Sequence, residues 1–217
     1  MIEDQNRFDK VIHAIDQANQ ADPNKEDWEG QTHAKEGLYA QRMTQWLNKV
    51  YPEASEELRI AAHAQHICRW EIPRSDYPMG KVGYHQWRTS LQQFHADKTG
   101  QILDNEGYQS DQIARVQQLL KKKNLRKDPE CQQLEDIICL VFLDYYFEPF
   151  AAKHQDEKVI DILRKTWRKM STNGQEEALK IEYPDKAKSL IEQALAVNYS
   201  ISTRRPLEEI DNKLLTR

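Results

Sequence analysis

Five side chains in this sequence have the types and spacing to share a metal ion. His63 and His66 lie three apart in an Ala-rich segment, a separation that makes neighbours on one helix face. His95 falls four residues after Leu91 and seven before Ile102, on the apolar stripe of its own segment. Glu135 and Asp136 stand early in the most apolar stretch of the chain, where a carboxylate needs a partner, hydrogen bonds or a cation. Two imidazoles and a carboxylate from three segments are donors that Mn, Fe, Co or Zn accept. His66, His95 and Asp136 are therefore the candidate metal ligands and catalytic centre, with His63 and Glu135 as further candidates. The same groups can instead act as a structural tie, His95 and Asp136 bonding each other or backbone. No spacing of the HExxH kind decides between the two.

A second group suits phosphate. Arg69, Arg74, Lys81 and Arg88 lie on or beside a connection at 71–84 that contains Pro73, Pro78, Gly80 and Gly83. The planar guanidinium fork matches phosphate oxygens in two-point contact, and Trp87, with Trp70, Tyr77 and Tyr84, could stack a base. Arg69, Arg74, Lys81, Arg88 and Trp87 are the candidate substrate-binding residues. The competing use is to order the loop, with stems and rings buried along it. Charge agrees with an anionic ligand. The net charge of −4 divides into −6 over residues 1–58, +6 over 59–127 and −4 over 128–217. A basic middle third inside an acidic protein fits a small phosphate ligand better than a long duplex, although it could also pair with the acidic N-terminal third.

These residues need helices to hold them. Only seven Gly and eight Pro are spread over 217 residues, so turns are few and elements long. Phe8, Val11, Ile12 and Ile15 form one helical stripe, and Tyr39, Met43, Trp46 and Val50 a second, closed by Tyr51-Pro52. Leu58 to Trp70 reads as a third helix. Trp87, Leu91, His95 and Ile102 stripe a fourth with Gly107 as its stop, and Ser110-Asp111 opens a fifth ending at Lys121-Lys122-Lys123. Asp128-Pro129 is a cap followed by Pro at the first helical position, opening a helix apolar on every side from Ile137 to Leu143. Val159, Leu163, Trp167 and Met170 stripe a seventh, ended by Asn173-Gly174, and two shorter segments flank Pro184. Lys121–Lys123 and the Arg164-Lys165, Arg168-Lys169 pairs read as solvated faces. No strand, repeat or low-complexity block is expected. The fold class is all-α: one helical domain of about eight helices over 1–199, with a loosely held tail at 200–217.

Several classes are disfavoured. No apolar run reaches the ~18 residues of a membrane helix, and the first residues do not resemble a secretion signal. Cys68, Cys131 and Cys139 make neither a disulfide framework nor a CxxC site. A cytoplasmic protein is expected. No Gly-rich phosphate loop and no Ser-His-Asp ordering is visible.

Two resemblances add to this. Tyr39-Ala40-Gln41-Arg42-Met43, Ala61-Ala62-His63-Ala64-Gln65-His66-Ile67, His95 ahead of Gly100-Gln101-Ile102-Leu103, and Leu134-Glu135-Asp136 resemble the landmarks of the HD-domain phosphohydrolases. The likeness implies an HD-like bundle, one or two metals and hydrolysis of nucleotide phosphate esters. His66, His95 and Asp136 fall on its ligand or active-site positions. Tyr39 stands where that superfamily has its first His, and His66-Ile67 where it has His-Asp, leaving His63, Glu36 or Glu135 as substitutes. A longer likeness, through Gln65-His66-Ile67, Arg69-Trp70-Glu71-Ile72-Pro73-Arg74, Tyr77-Pro78-Met79, Trp87-Arg88, Phe94-His95-Ala96, Leu134-Glu135-Asp136 with Cys139-Leu140-Val141-Phe142-Leu143, and Asp161–Ser171, is to the domain of unknown function numbered 4202, which implies membership and no activity. His66-Ile67-Cys68-Arg69 and Lys169–Asn173 also echo the two ATP motifs of class I aminoacyl-tRNA synthetases. They lack the required Gly, the final His, the second Lys and a parallel sheet, so that activity is rejected.

The function expected is a metal-dependent phosphohydrolase acting on a small nucleotide or related phosphate ester. The alternative is a non-catalytic module binding a nucleotide or an RNA end, with an HD-type iron oxygenase third. Catalysis itself is left open.

Overall fold

Ten α-helices and one hairpin make up residues 2–122 and 127–202, the part described by this computed structural model. Helix α1 (Gln5–Gln20) leads through strands β1 (Lys25–Trp28) and β2 (Gln31–Ala34) into α2 (Lys35–Val50) and the short α3 (Glu56–His63). Two 3₁₀ turns, Arg69–Glu71 and Arg74–Asp76, precede the long α4 (Lys81–Asn105). Next come α5 (Ser110–Leu120), α6 (Pro129–Val141), a π-helical turn (Phe142–Tyr146) and α7 (Phe147–Ala151). Helices α8 (Asp156–Trp167), α9 (Thr172–Ala178) and α10 (Asp185–Ser202) complete the order. The all-α expectation holds.

Caps fix many of the helix ends. Asp4, Ser55, Asp128 and Ser171 each accept a backbone N–H from the first turn of α1, α3, α6 and α9. Each such cap contributes about 1 kcal/mol. Pro129 takes the first position of α6 as expected. Helix α4 closes in a Schellman turn: Tyr108 N–H donates to Leu103 O and Gly107 N–H to Asp104 O, with Gly107 at φ +76°. Only a residue without Cβ sits there at no cost.

Helix α6 is the central element. It packs against α2, α3, α5 and α9, and Leu134, Ile137, Leu140 and Val141 are fully buried. The same apolar cluster takes in Val11 and Ile15 of α1, Met43 and Leu47 of α2, Leu58 of α3 and Leu119 of α5. Each such side chain stabilises the fold by about 1.5–3 kcal/mol.

The structure departs from expectation in four places. Residues 25–34 form an antiparallel hairpin, Lys25 opposite Ala34 and Trp28 opposite Gln31, turning through Glu29-Gly30 with both φ positive. That is the backbone of a tight two-residue turn. Helix α3 stops at His63 instead of reaching Trp70, because the chain turns at 64–68 and Cys68 takes a left-handed conformation (φ +50°). Buried Asn19, at the end of α1, holds that turn by accepting the Cys68 N–H at 2.9 Å. Asn173-Gly174 lies inside the first turn of α9 rather than ending α8. The helix after Pro184 continues to Ser202, and the rest of the expected tail, 203–217, lies outside the described residues.

Candidate functional site

One cavity of about 370 Å³ opens where α2, the His66 turn, α4, α6, the π-helical turn and the end of α8 converge. The end of α1 aligns two of these walls. Buried Asp22 accepts the Glu36 N–H with Oδ2 at 3.0 Å, which sets the start of α2 and so places Lys35, Glu36 and Tyr39. Asn19, through Cys68, places Gln65, His66 and Arg69. Opposite them α4 presents Trp87, Arg88 and His95, and Gln117 of α5 donates to Ala96 O at 3.2 Å, seating α4 beside Lys122. The wide π-helical turn brings Phe142 and Tyr146 to the wall. Such turns are frequent at functional sites.

His66 is the centre of the site. Its ring stacks on Tyr39 with centroids 3.9 Å apart and faces the His95 ring at 6.0 Å. Nδ1 lies 3.1 Å from Glu36 Oε2, so with Glu36 ionised the Nδ1–H donates and the lone pair is on Nε2, 3.5 Å from the Arg69 Nη1 donor. Burial, together with Arg69, Lys122, Arg88 and Lys35, pushes the His66 pKa well down, so the ring is neutral at pH 7. Burial, with His66 and Arg69, does the same to His95. Burial pushes Glu36 upward against Arg69 and Lys35.

Five cations line the cavity, Lys35, Arg69, Arg88, Lys122 and Lys169, against two carboxylates, Glu36 and Glu135. They are not equivalent. Lys122 lies 2.8 Å and Lys169 3.5 Å from opposite oxygens of Glu135. Burial resists charge on Glu135, but Lys122, Lys169 and Arg88 prevail and hold its carboxyl below the usual range. Lys35, Arg69 and Arg88 have no carboxylate within 4.0 Å among the described residues. Arg69 lies over the Trp87 ring, 5.0 Å from its centroid, and the Trp87 indole donates to Ile72 O at 2.9 Å. Two buried polar atoms on the wall, His95 Nε2 and Gln65 Oε1, have no hydrogen-bond partner among the described residues. Buried polar groups are nearly always satisfied, so each calls for a water or a ligand.

Of the expected site residues, His66, His95, Glu135, Arg69, Arg88 and Trp87 meet at this cavity. The others are placed elsewhere. Asp136, fully buried, does not line it; its oxygens take four donors: Ser171 N at 2.7 Å, Ser171 Oγ at 2.5 Å, Tyr51 OH at 2.7 Å and Gln132 Nε2 at 3.0 Å. Gly174 permits this, since a Cβ there would lie 2.7 Å from Asp136 Cγ. His63 is not a neighbour of His66 on one face, because the helix ends between them; it bonds Thr44 and Asp16, each at 2.9 Å. Arg74 donates to the carbonyls of Tyr77, Pro78 and Gly80 and so orders the loop. Lys81 is exposed at the start of α4, and Trp70 packs against the core.

The expected ligands His66, His95 and Asp136 do not converge on one place for a metal, since Asp136 lies outside the cavity. Among the described residues no group of three or more His, Cys, Asp or Glu side chains is placed to hold one. Sequence reasoning also missed Lys35, Gln65, Lys122 and Lys169. Their sequence context places Lys122 and Lys169 on solvated faces, and only the buried Glu135, brought between them by the fold, distinguishes them from other surface lysines.

Among the described residues no helix is long and apolar enough to cross a membrane. No curated protein and no solved structure matches the chain. The family model described as domain of unknown function (DUF4202) matches residues 9–191, which include every residue of the cavity wall, and the chain belongs to that family.

Proposed function

We propose that the cavity binds a small phosphate-bearing ligand with a flat ring, of mononucleotide size. The observation that carries this is the surplus of cations around a neutral His66. Arg69, Lys122, Arg88 and Lys35 all bear on its imidazole, and three of them have no carboxylate partner among the described residues. Guanidinium–phosphate hydrogen bonds are charge-assisted, worth about 1.5–3 kcal/mol each. The exposed Tyr84 and the half-buried Trp87 supply ring faces at the same wall. The volume lies at the lower end of ligand pockets, roughly 300–1,000 Å³, which favours a mononucleotide over a longer chain. The terminal phosphate of an RNA is the polymeric form of the same chemistry.

Thermal-shift titration with inorganic phosphate, adenosine 5′-monophosphate and adenosine tests this. The phosphate-bearing ligands should raise Tm progressively, with the logarithm of concentration once above Kd, and adenosine should not. Equal responses to adenosine and its monophosphate, or none at millimolar concentration, would contradict it.

A second reading, hydrolysis of the phosphate ester, is favoured by the Glu36–His66 pair. A neutral imidazole oriented through Nδ1 by a carboxylate can take a proton from water at Nε2 once Arg69 Nη1, 3.5 Å from that atom, turns to the phosphate. Arg69 and Arg88 would meanwhile hold the phosphate oxygens and offset charge that builds on them. Release of inorganic phosphate from mononucleotides reports this activity. Glu36→Gln should lower kcat about 100-fold, the scale of a lost acid–base contribution, with KM nearly unchanged. A fully active Glu36→Gln protein would remove the pair from the mechanism.

A further inference from the structure

We infer that Glu135 sets the number of phosphates the ligand carries: the cavity takes a monophosphate and rejects di- and triphosphates. This rests on the phosphate-binding reading and specifies its ligand. The cations divide into two sets. Arg69, Arg88 and Lys35 are without carboxylate partners among the described residues and, with Lys122, act on His66; on the same wall the buried Nε2 of His95 and Oε1 of Gln65 have no hydrogen-bond partner among the described residues. Lys122, from the end of α5, and Lys169, from the turn after α8, are already spent on Glu135.

That carboxylate is 4% exposed. A second or third phosphate reaching toward Lys122 and Lys169 would have to displace Glu135 from both ammonium groups. Displaced, it would meet the incoming phosphate as a like charge at short range in a poorly solvated wall. A monophosphate held by Arg69, Arg88 and Lys35 does not require Glu135 to leave Lys122 or Lys169. Its charge of about −2 at neutral pH matches the surplus of the unpaired cations over Glu36.

Calorimetric titration of the full chain with adenosine mono-, di- and triphosphate, in chelator so that no cation screens the polyphosphates, is the test. The wild-type protein should bind the monophosphate at least tenfold more tightly than the triphosphate. Glu135→Gln frees both lysines and should strengthen triphosphate binding at least tenfold more than it strengthens monophosphate binding. Wild-type affinity that is equal for all three, or rises with phosphate number, would overturn the inference and leave phosphate binding standing. A folded Glu135→Gln protein with unchanged preference would also overturn it. No binding of any of the three would remove the phosphate reading itself, and this inference with it. The wild-type series needs no variant, so poor folding of Glu135→Gln would not shelter the claim.

Discussion

Glu135 and Asp136 are consecutive on α6 and both almost wholly buried, yet they meet different neighbours. Asp136 turns toward α9, where the Ser171 backbone and hydroxyl, the Tyr51 phenol and the Gln132 amide engage both its oxygens. Glu135 turns into the cavity and is held by two lysines on flexible stems, one of them, Lys169, half exposed. The first arrangement uses short, neutral donors fixed by secondary structure and leaves no room for a ligand. The second uses mobile charges that a ligand could redistribute. A buried carboxylate thus marks a functional wall or a structural pin according to what holds it. Here the adjacent pair supplies one of each.

The largest effect expected from this contrast is on stability. Asp136→Ala should cost about 4 kcal/mol in a urea unfolding titration, because it strands several buried donors at once. Glu135→Gln should cost about half that, since its lysines can turn to water. Equal losses would erase the distinction between pin and wall.

A smaller effect separates the histidines of the cavity from the rest of the chain. His66 and His95 are held neutral in the folded state by burial and nearby positive groups, well below their ordinary pKa. The unfolded chain takes up those protons near pH 6.5. Below that pH it binds more protons than the folded state, so stability should fall as pH drops from about 6.5. Urea midpoints at pH 7.5, 6.5 and 5.5 should show this loss, and His95→Phe should flatten it. Parallel curves for the two proteins would mean that His95 is not held neutral.

Arg74→Ala should have the smallest effect, about 1 kcal/mol of stability from loop carbonyls losing their donor, with phosphate affinity unchanged. A large loss of affinity would return Arg74 to the binding set.

Much of this molecule is legible in its sequence, for local reasons. Asp128-Pro129 and Gly107 act within a few residues, so the ends they set could be read directly. The apolar run of α6 identified the central helix. The hairpin could not be read, because Lys25-Glu26-Asp27-Trp28 has no alternation and its strands are four residues each. The end of α3 is fixed by Asn19, far away in the chain, against the helical preference of an Ala-rich run. At the site, His66, His95, Arg69, Arg88, Trp87 and Glu135 stood out because imidazoles, guanidiniums and a buried acid are unusual in such settings. Asp136 stood out for the same reason and serves another purpose, since the direction a side chain faces is set by tertiary packing. Lys122 and Lys169 had no local signal at all.

The central claim, that phosphate binds beside His66, can be tested most directly by nuclear magnetic resonance of the ring nitrogens in protein labelled with ¹⁵N-histidine. The chain has seven histidines, and His63 and His154, bonded to Thr44, Asp16 and the Phe150 carbonyl, serve as internal controls away from the cavity. Adding adenosine 5′-monophosphate should move the His66 and His95 resonances in a saturable way and leave those of His63 and His154 in place. If His66 and His95 do not move at millimolar ligand, or all the histidines move together, the cavity is not the phosphate site.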